Sequence, residues 1–168
     1  MTTLRKTKPR FAAQLAGWLL LFVLGSGLVS CSNNIYDETV EIADHQWLDS
    51  DSIVFDFEIA DTSQQYNIFL EVAHETSYNY QNIYCLVETY GPNGLVQKQV
   101  SSLDLATKKG QWLGECSGEI CTYNIPFIIN TVFDVAGQYK IVLKQYSRDH
   151  SLQPIHSLRL AVAPVATS

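Results

Sequence analysis

Carboxylates and a histidine are the first residues in this chain whose types could support acid–base chemistry. Asp56 and Glu58 stand two positions apart, and His74 lies between Glu71 and Glu75. Paired carboxylates can act as acid and base, and a carboxylate can orient a histidine base. Both groups fall in strand-like runs, however, where His74 faces away from the two glutamates and where Asp56 and Glu58 share a solvated face. We therefore expect no catalytic site and no enzymatic activity.

Three cysteines beyond residue 31 could supply nucleophilic or metal-binding thiols. Cys85 lies in an apolar run with β-branched neighbours, which is typical of a small buried hydrophobe. Cys116 and Cys121 flank a turn-like stretch, and a hairpin there could bring them together. The sequence leaves open whether they form a disulfide. No CxxC or HxxxH spacing accompanies the thiols, so we predict no metal site and no cofactor.

Aromatic side chains provide the best candidate binding surface. Tyr78 and Tyr80 lie among amides, close to Tyr84, and Trp112 stands between two glycines. Flat rings beside amides could stack on a sugar or anchor a protein partner. The alternative is that the rings close the ends of the folded domain, because core burial dominates aromatic usage.

Cys31 is the residue whose surroundings predict a covalent modification. It ends the sequence Leu-Val-Ser-Cys at 28–31, which follows four basic residues and the apolar run 15–24. This pattern resembles the lipobox of bacterial lipoprotein signal peptides. The resemblance implies that the thiol of Cys31 takes a diacylglyceryl group, that residues 1–30 are removed, and that the new amino terminus is acylated, with palmitate as a typical chain.

A transmembrane anchor over residues 11–29 is the alternative, because about 20 apolar residues suffice to cross a bilayer. Gln14 interrupts that run, and Gly25 and Gly27 weaken its end. Cleavage and lipidation are therefore favoured, and they leave a soluble domain tied to a membrane.

Seven basic and seventeen acidic residues follow Ser30, so the mature chain has a net charge of −10. A surface this acidic opposes binding to nucleic acid.

Alternating apolar residues predict the fold of the mature chain. The clearest examples are 53–59 and 66–72, which are separated by a short turn and which we expect to pair antiparallel. About eight such strands, with no helical period, predict an all-β antiparallel sandwich preceded by a cleaved signal helix. The predicted organisation is a signal peptide at 1–30, a lipidated tether at 31–36, the sandwich at 37–163 and a loose tail at 164–168.

An ordered series of short motifs supports a family resemblance. The series comprises Tyr36-Asp37-Glu38, Trp47, Phe55-Asp56-Phe57, Asp61-Thr62, Tyr66-Asn67, residues 78–82, residues 90–94, residues 110–114, Phe133, residues 137–139, residues 145–148 and Leu152. With the lipobox cysteine, it resembles the GldH family of gliding-motility lipoproteins of the Bacteroidetes over the whole mature chain. Ser147 stands where the family has methionine, and the Cys116–Cys121 pair has no place in the family pattern, so neither inherits a role.

The resemblance implies a lipoprotein needed for surface gliding, a process coupled to protein secretion across the outer membrane. We expect a non-enzymatic interaction component of that machinery, with envelope proteins as partners. An envelope glycan- or peptidoglycan-binding module is the alternative that the aromatic residues leave open. Ser32 follows the lipidated cysteine where an aspartate would favour the inner membrane. We therefore expect attachment to the outer membrane, facing the periplasm.

Overall fold

The structure is a computed structural model, and it describes residues 33–166. Cys31 and the predicted signal segment lie outside the described residues. The strands in chain order are β1 (Tyr36–Glu41), β2 (Trp47–Leu48), β3 (Ser52–Ile59), β4 (Tyr66–Glu75), β5 (Asn82–Gly91), β6 (Gly94–Asp104), β7 (Glu115–Ser117), β8 (Ile120–Thr131), β9 (Gly137–Gln145), β10 (Ser151–Leu152) and β11 (Ile155–Pro164).

Eight of these strands are long, and they confirm the predicted all-β fold; β2, β7 and β10 have only two or three residues. One antiparallel sheet has the order β1-β11-β4-β8-β7, and a second has the order β3-β9-β5-β6. The inward faces of these two sheets form one core, which gives a sandwich-like arrangement. Within residues 33–166, no helix has the length and apolar character needed to cross a bilayer.

Strict alternation in β3 shows how the sequence selects the inward face. Ile53, Phe55, Phe57 and Ile59 are buried, whereas each residue between them is exposed. Because the side-chain period of a strand is two residues, this pattern fixes which face of β3 covers the core. Trp47 is also fully buried, where it pairs through the short strand β2 with Leu152 of β10.

The predicted pairing of 53–59 with 66–72 is wrong. These segments become β3 and β4, which lie in different sheets: β3 pairs with β9, and β4 pairs with β11 and β8. The short connection around Asp61 passes from one sheet to the other. Both strands need a buried face, and packing across the core satisfies that need as well as a hairpin would.

The described ends of the domain extend slightly beyond the predicted limits. The backbone N–H of Ile35 donates to the carbonyl of Val162 at 2.8 Å, and β1 begins at Tyr36, inside the segment predicted as a tether. At the carboxyl end, β11 continues to Pro164, and the N–H of Val165 donates to the carbonyl of Gln65 at 2.8 Å.

The β7–β8 hairpin places Cys116 directly opposite Cys121, and the structure joins the two by a disulfide.

The pairing of β8 with β4 changes register beside Pro126, where Ile68 pairs with Ile128 but Phe69 pairs with Pro126. Proline cannot donate a ladder hydrogen bond, so an irregularity of this kind is expected where it enters a strand.

Gly114 allows the segment before this hairpin to pass close to β8. Its φ is +79°, and a Cβ there would overlap the carbonyl oxygen of Thr122 and lie 2.8 Å from the Cα of Tyr123. We predict that Gly114→Ala lowers the free energy of unfolding by about 3 kcal/mol, because a left-handed alanine costs roughly 1–2 kcal/mol and the overlap adds more.

Gly118 provides the matched control for that prediction. Its φ is also positive, at +62°, but a Cβ there would have no neighbour within 4 Å. Gly118→Ala should therefore cost only about 1 kcal/mol in urea-denaturation measurements. Equal losses of stability in the two variants would show that the close approach of the backbone at Gly114 does not add to the cost of a Cβ there.

Candidate functional site

Tyr78 does not contribute to an exposed binding surface. Only 4% of its side chain is exposed, and its ring packs edge-on against Tyr80 with the ring centroids 5.6 Å apart. Burial raises the pKa of the Tyr78 hydroxyl. Its ring is therefore part of the core, in agreement with the alternative that some of these aromatic residues close the ends of the domain.

Trp112 belongs to the same interior group of rings. It is half-buried, and it packs edge-on against the buried His74 with the centroids 4.5 Å apart. His74 in turn lies 5.8 Å from Tyr78. The rings of Trp112, His74, Tyr78 and Tyr80 thus form a continuous chain from the core to the surface, and only Tyr80 of the three predicted surface residues is well exposed.

Three exposed tyrosines line an open cleft on the face of the second sheet, which we call the tyrosine cleft. Tyr80, Tyr84 and Tyr146 are 44%, 51% and 60% exposed, and the cleft has a volume of about 810 Å³. The remaining lining residues are mainly polar: Asn82, Ser147, Arg148, Asp149 and Leu152. Aromatic rings around a few polar groups are typical of surfaces that bind proteins or sugars.

The sheet positions two of the tyrosines. Tyr84 lies on β5 between the buried residues Ile83 and Cys85, so alternation directs its side chain to the outer face. Tyr146 directly follows β9, and its backbone N–H donates to the carbonyl of Tyr84 at 2.7 Å. These two rings are therefore carried by adjacent hydrogen-bonded backbone rather than by a free loop.

Gln145 shapes the loop that completes the cleft. Its buried side-chain amide donates to the carbonyl of Asp149 at 3.0 Å, while its Oε1 accepts from the backbone N–H of Ser147 at 2.9 Å. The hydroxyl of Tyr80 donates to the Asp149 carboxylate, and this hydrogen bond raises the pKa of Tyr80. The loop therefore holds one wall of the cleft in a defined position.

Apolar side chains extend this surface toward the edge of the sheet. Leu86 follows Tyr84 on the outer face and lies opposite Val100 of β6. Val100 is exposed, as is Leu95 at the start of the same strand. Because β6 is an edge strand, its outer backbone groups are also open to another strand.

The residues that could support catalysis are either buried or lie on the outer face of a strand. Cys85 is fully buried, and desolvation raises the pKa of its thiol to about 12. His74 is buried as well, which lowers its pKa, and its Nδ1–H donates to the carbonyl of Glu75 at 2.8 Å. Asp56 and Glu58 lie on the exposed face of β3. The described residues that line the tyrosine cleft therefore include none of these four groups.

Tyr146, Arg148 and Asp149 are the cleft residues that sequence reasoning missed. They lie more than 60 positions after Tyr84, and their charged surroundings predict only a solvated loop. The one indication in the sequence is the alternation of β9, which continues to Tyr146 on the outer face after Lys140, Val142 and Lys144.

Comparison with known proteins adds to this picture. A sequence profile of the family described as GldH lipoprotein matches residues 34–162. A gliding motility lipoprotein GldH homolog from Christiangramia forsetii is 28% identical over 120 residues, which cover 71% of this chain and 73% of that protein. The gliding motility lipoprotein GldH of Flavobacterium johnsoniae is 23% identical over 128 residues, which cover 76% of this chain and 79% of that protein.

Among solved structures, that of infectious bursal disease virus Gx strain aligns with 81% of this chain and 35% of that chain, at 13% identity and a TM-score of 0.25. A similarity this weak carries no argument about fold or function. The sequence matches define the class: the chain is a lipoprotein with an all-β domain. It belongs to the GldH lipoprotein family, as its ordered motifs predict, and its curated relatives are gliding motility lipoproteins.

Proposed function

We propose that this protein is a non-enzymatic docking module, anchored by lipid at Cys31, that binds an envelope protein of the gliding and secretion machinery through the tyrosine cleft. The observation that carries this proposal is the convergence of Tyr80, Tyr84 and Tyr146 on one open cleft. Exposed tyrosines combine a large contact area with little conformational freedom, which suits them as anchor residues at interfaces.

The surface beside the cleft supports a protein partner. Leu86 and Val100 continue the apolar area, and the exposed edge of β6 could pair with a strand of the partner. Arg148 adds a positive group at the cleft in a mature chain whose net charge is −10, which would favour an acidic side chain of the partner at this point.

Anchoring to the outer membrane would hold the domain in the periplasm beside that machinery. The described sheet begins at Tyr36, so the connection from Cys31 is only a few residues long. A tether of this length would keep the domain close to the membrane surface, because an extended chain spans at most about 3.6 Å per residue. We therefore expect the partner to be a membrane protein or a protein bound at the membrane.

Capture from the native envelope tests this function. The lipidated protein is crosslinked in cells, purified, and its partners are identified by mass spectrometry. We predict that Tyr84→Ala combined with Tyr146→Ala lowers recovery of the principal partner about tenfold or more, the loss expected when interface anchors are removed. Val54→Ala is the matched control, because Val54 is an exposed residue on the outer face of β3 in the same sheet.

Full recovery of the partner by the double variant, with folding and lipidation intact, would contradict this role for the cleft. Recovery of no envelope protein by the wild type would contradict the docking function itself.

A second candidate function is binding of an envelope glycan such as peptidoglycan. It is favoured by the combination of tyrosine rings with the amide of Asn82 and the charges of Arg148 and Asp149. Co-sedimentation with purified cell wall should then fall in Tyr80→Ala and Tyr84→Ala but not in Val54→Ala. Wild-type retention of all three variants on the cell wall would contradict glycan binding through the cleft.

A further inference from the structure

Two histidines and a glutamate that are far apart in the sequence meet in the fold. His45 belongs to the turn Ala43–His45 after β1, Glu75 ends β4, and His156 is the second residue of β11. Each offers one ligand atom, and these atoms all lie within 4.8 Å of one another. The spacing in the chain gives no indication of this cluster, which explains why the sequence predicts no metal site.

Direct contacts already hold the three side chains together. The Nε2 of His156 lies 3.2 Å from the Oε1 of Glu75, and the rings of His45 and His156 are stacked with their centroids 3.6 Å apart. The second carboxylate oxygen of Glu75 accepts a hydrogen bond from the hydroxyl of Ser77 at 3.0 Å. Ligating carboxylates in metalloproteins are commonly oriented by an outer partner of this kind.

Backbone features place His45 beside His156. His156 lies at a register shift between β11 and β4, and its carbonyl accepts from the N–H of Ile42 at 2.8 Å. Asp44 and His45 have φ angles of +53° and +56°, a left-handed conformation that costs non-glycine residues roughly 1–2 kcal/mol each. Such backbone persists when surrounding structure enforces it, and here it carries His45 to the ring of His156.

The chemistry of the cluster favours a particular class of ion. Imidazole nitrogen is a ligand for zinc, copper, nickel and iron, and is a poor one for magnesium and calcium. Two histidines and one glutamate are a known zinc ligand set with a fourth position left open. Zn–N bonds of about 2.0–2.1 Å require the ligand atoms to lie nearer together than 4.8 Å, which rotation of the exposed His45 ring could supply.

We propose that His45, Glu75 and His156 bind one divalent transition-metal ion, with Zn²⁺ as the preferred occupant. The ion joins the turn after β1 to the end of β4 and the start of β11. Its role is structural, since it crosslinks the turn that follows β1 to two adjacent strands of the first sheet, β11 and β4.

Direct metal binding tests this proposal. The mature lipidated protein in detergent is stripped with a chelator and titrated with Zn²⁺ alone, and separately with Mg²⁺. We expect one Zn²⁺ per chain, a rise in the melting temperature with Zn²⁺, and neither effect with Mg²⁺. His156→Ala and Glu75→Gln should each weaken Zn²⁺ binding at least tenfold, because loss of an outer partner of a ligand alone typically costs about 10–100-fold.

His45→Asn removes the third ligand while keeping a residue that tolerates left-handed backbone, so the turn should survive. His150→Ala is the matched control, because His150 is an exposed histidine that pairs with Asp49 at 2.8 Å outside the cluster. His150→Ala should bind Zn²⁺ as the wild type does. Absence of stoichiometric Zn²⁺ binding in the wild type, or wild-type affinity in folded His45→Asn and His156→Ala, would overturn the proposal.

Discussion

Cys31→Ser is expected to abolish incorporation of labelled palmitate into the protein. The serine hydroxyl does not replace the thiol that receives the diacylglyceryl group, and acylation of the new amino terminus depends on that first step. Each buried methylene contributes about 0.8 kcal/mol to membrane binding, so two or more acyl chains hold a protein far more firmly than one. The effect on anchoring is therefore all-or-none, the largest expected from any single substitution in this chain.

Mass spectrometry of the amino-terminal peptide is the accompanying measurement. The wild-type peptide should begin at residue 31 and carry fatty acyl groups, whereas Cys31→Ser should carry none. Cys116→Ser is a suitable control because Cys116 lies in the β7–β8 hairpin, far along the chain from Cys31. This substitution should leave acylation unchanged. Equal labelling of wild type and Cys31→Ser, or an unacylated wild-type amino terminus, would refute lipid anchoring at this cysteine.

Phe55→Ala should cause a larger loss of stability than truncation of a smaller side chain in the core. Phe55 is fully buried in the middle of β3, where it packs into the core between the two sheets. Truncation of a buried phenylalanine typically costs about 3–5 kcal/mol, a large share of the roughly 5–15 kcal/mol that stabilises a domain. We expect the melting temperature to fall by roughly 10–20 °C.

Val54→Ala tests which face of β3 covers the core. Val54 is the neighbour of Phe55 and lies on the exposed face, so its truncation should cost less than about 1 kcal/mol. Urea denaturation of the two variants gives the comparison. A loss in Val54→Ala as large as that in Phe55→Ala would mean that the strand presents the opposite face to the core.

The sequence predicts the strands of this domain better than their partners. Alternation over Ile53 to Ile59 defines β3 and its buried face, because burial of one side of a strand leaves a pattern with a period of two residues. The sheet that β3 joins is decided by its pairing with β9. β9 begins at Gly137, 85 residues after the start of β3 at Ser52. Local patterns contain no information on such distant pairings, which is why the predicted hairpin of β3 with β4 is wrong.

The candidate sites likewise combine residues that the sequence can select with neighbours that only the fold brings together. Tyr80 and Tyr84 can be selected from sequence as aromatic residues among amides, but whether Tyr78 is exposed or buried depends on packing against His74. Tyr146 lies beside Tyr84 because β9 pairs with β5, a pairing that the backbone hydrogen bond between Tyr146 and Tyr84 extends. The cluster of two histidines and a glutamate likewise depends on three separate segments, which no spacing rule connects.

Site-specific photocrosslinking in the native organism tests the central claim most directly. A photoreactive phenylalanine analogue replaces Tyr84 in the tyrosine cleft or, in a second strain, Ile129, an exposed residue of β8 in the first sheet. We predict a defined crosslink to one envelope protein from position 84 and little or none from position 129. Efficient crosslinking to that protein from position 129, with none from position 84, would contradict docking through the tyrosine cleft.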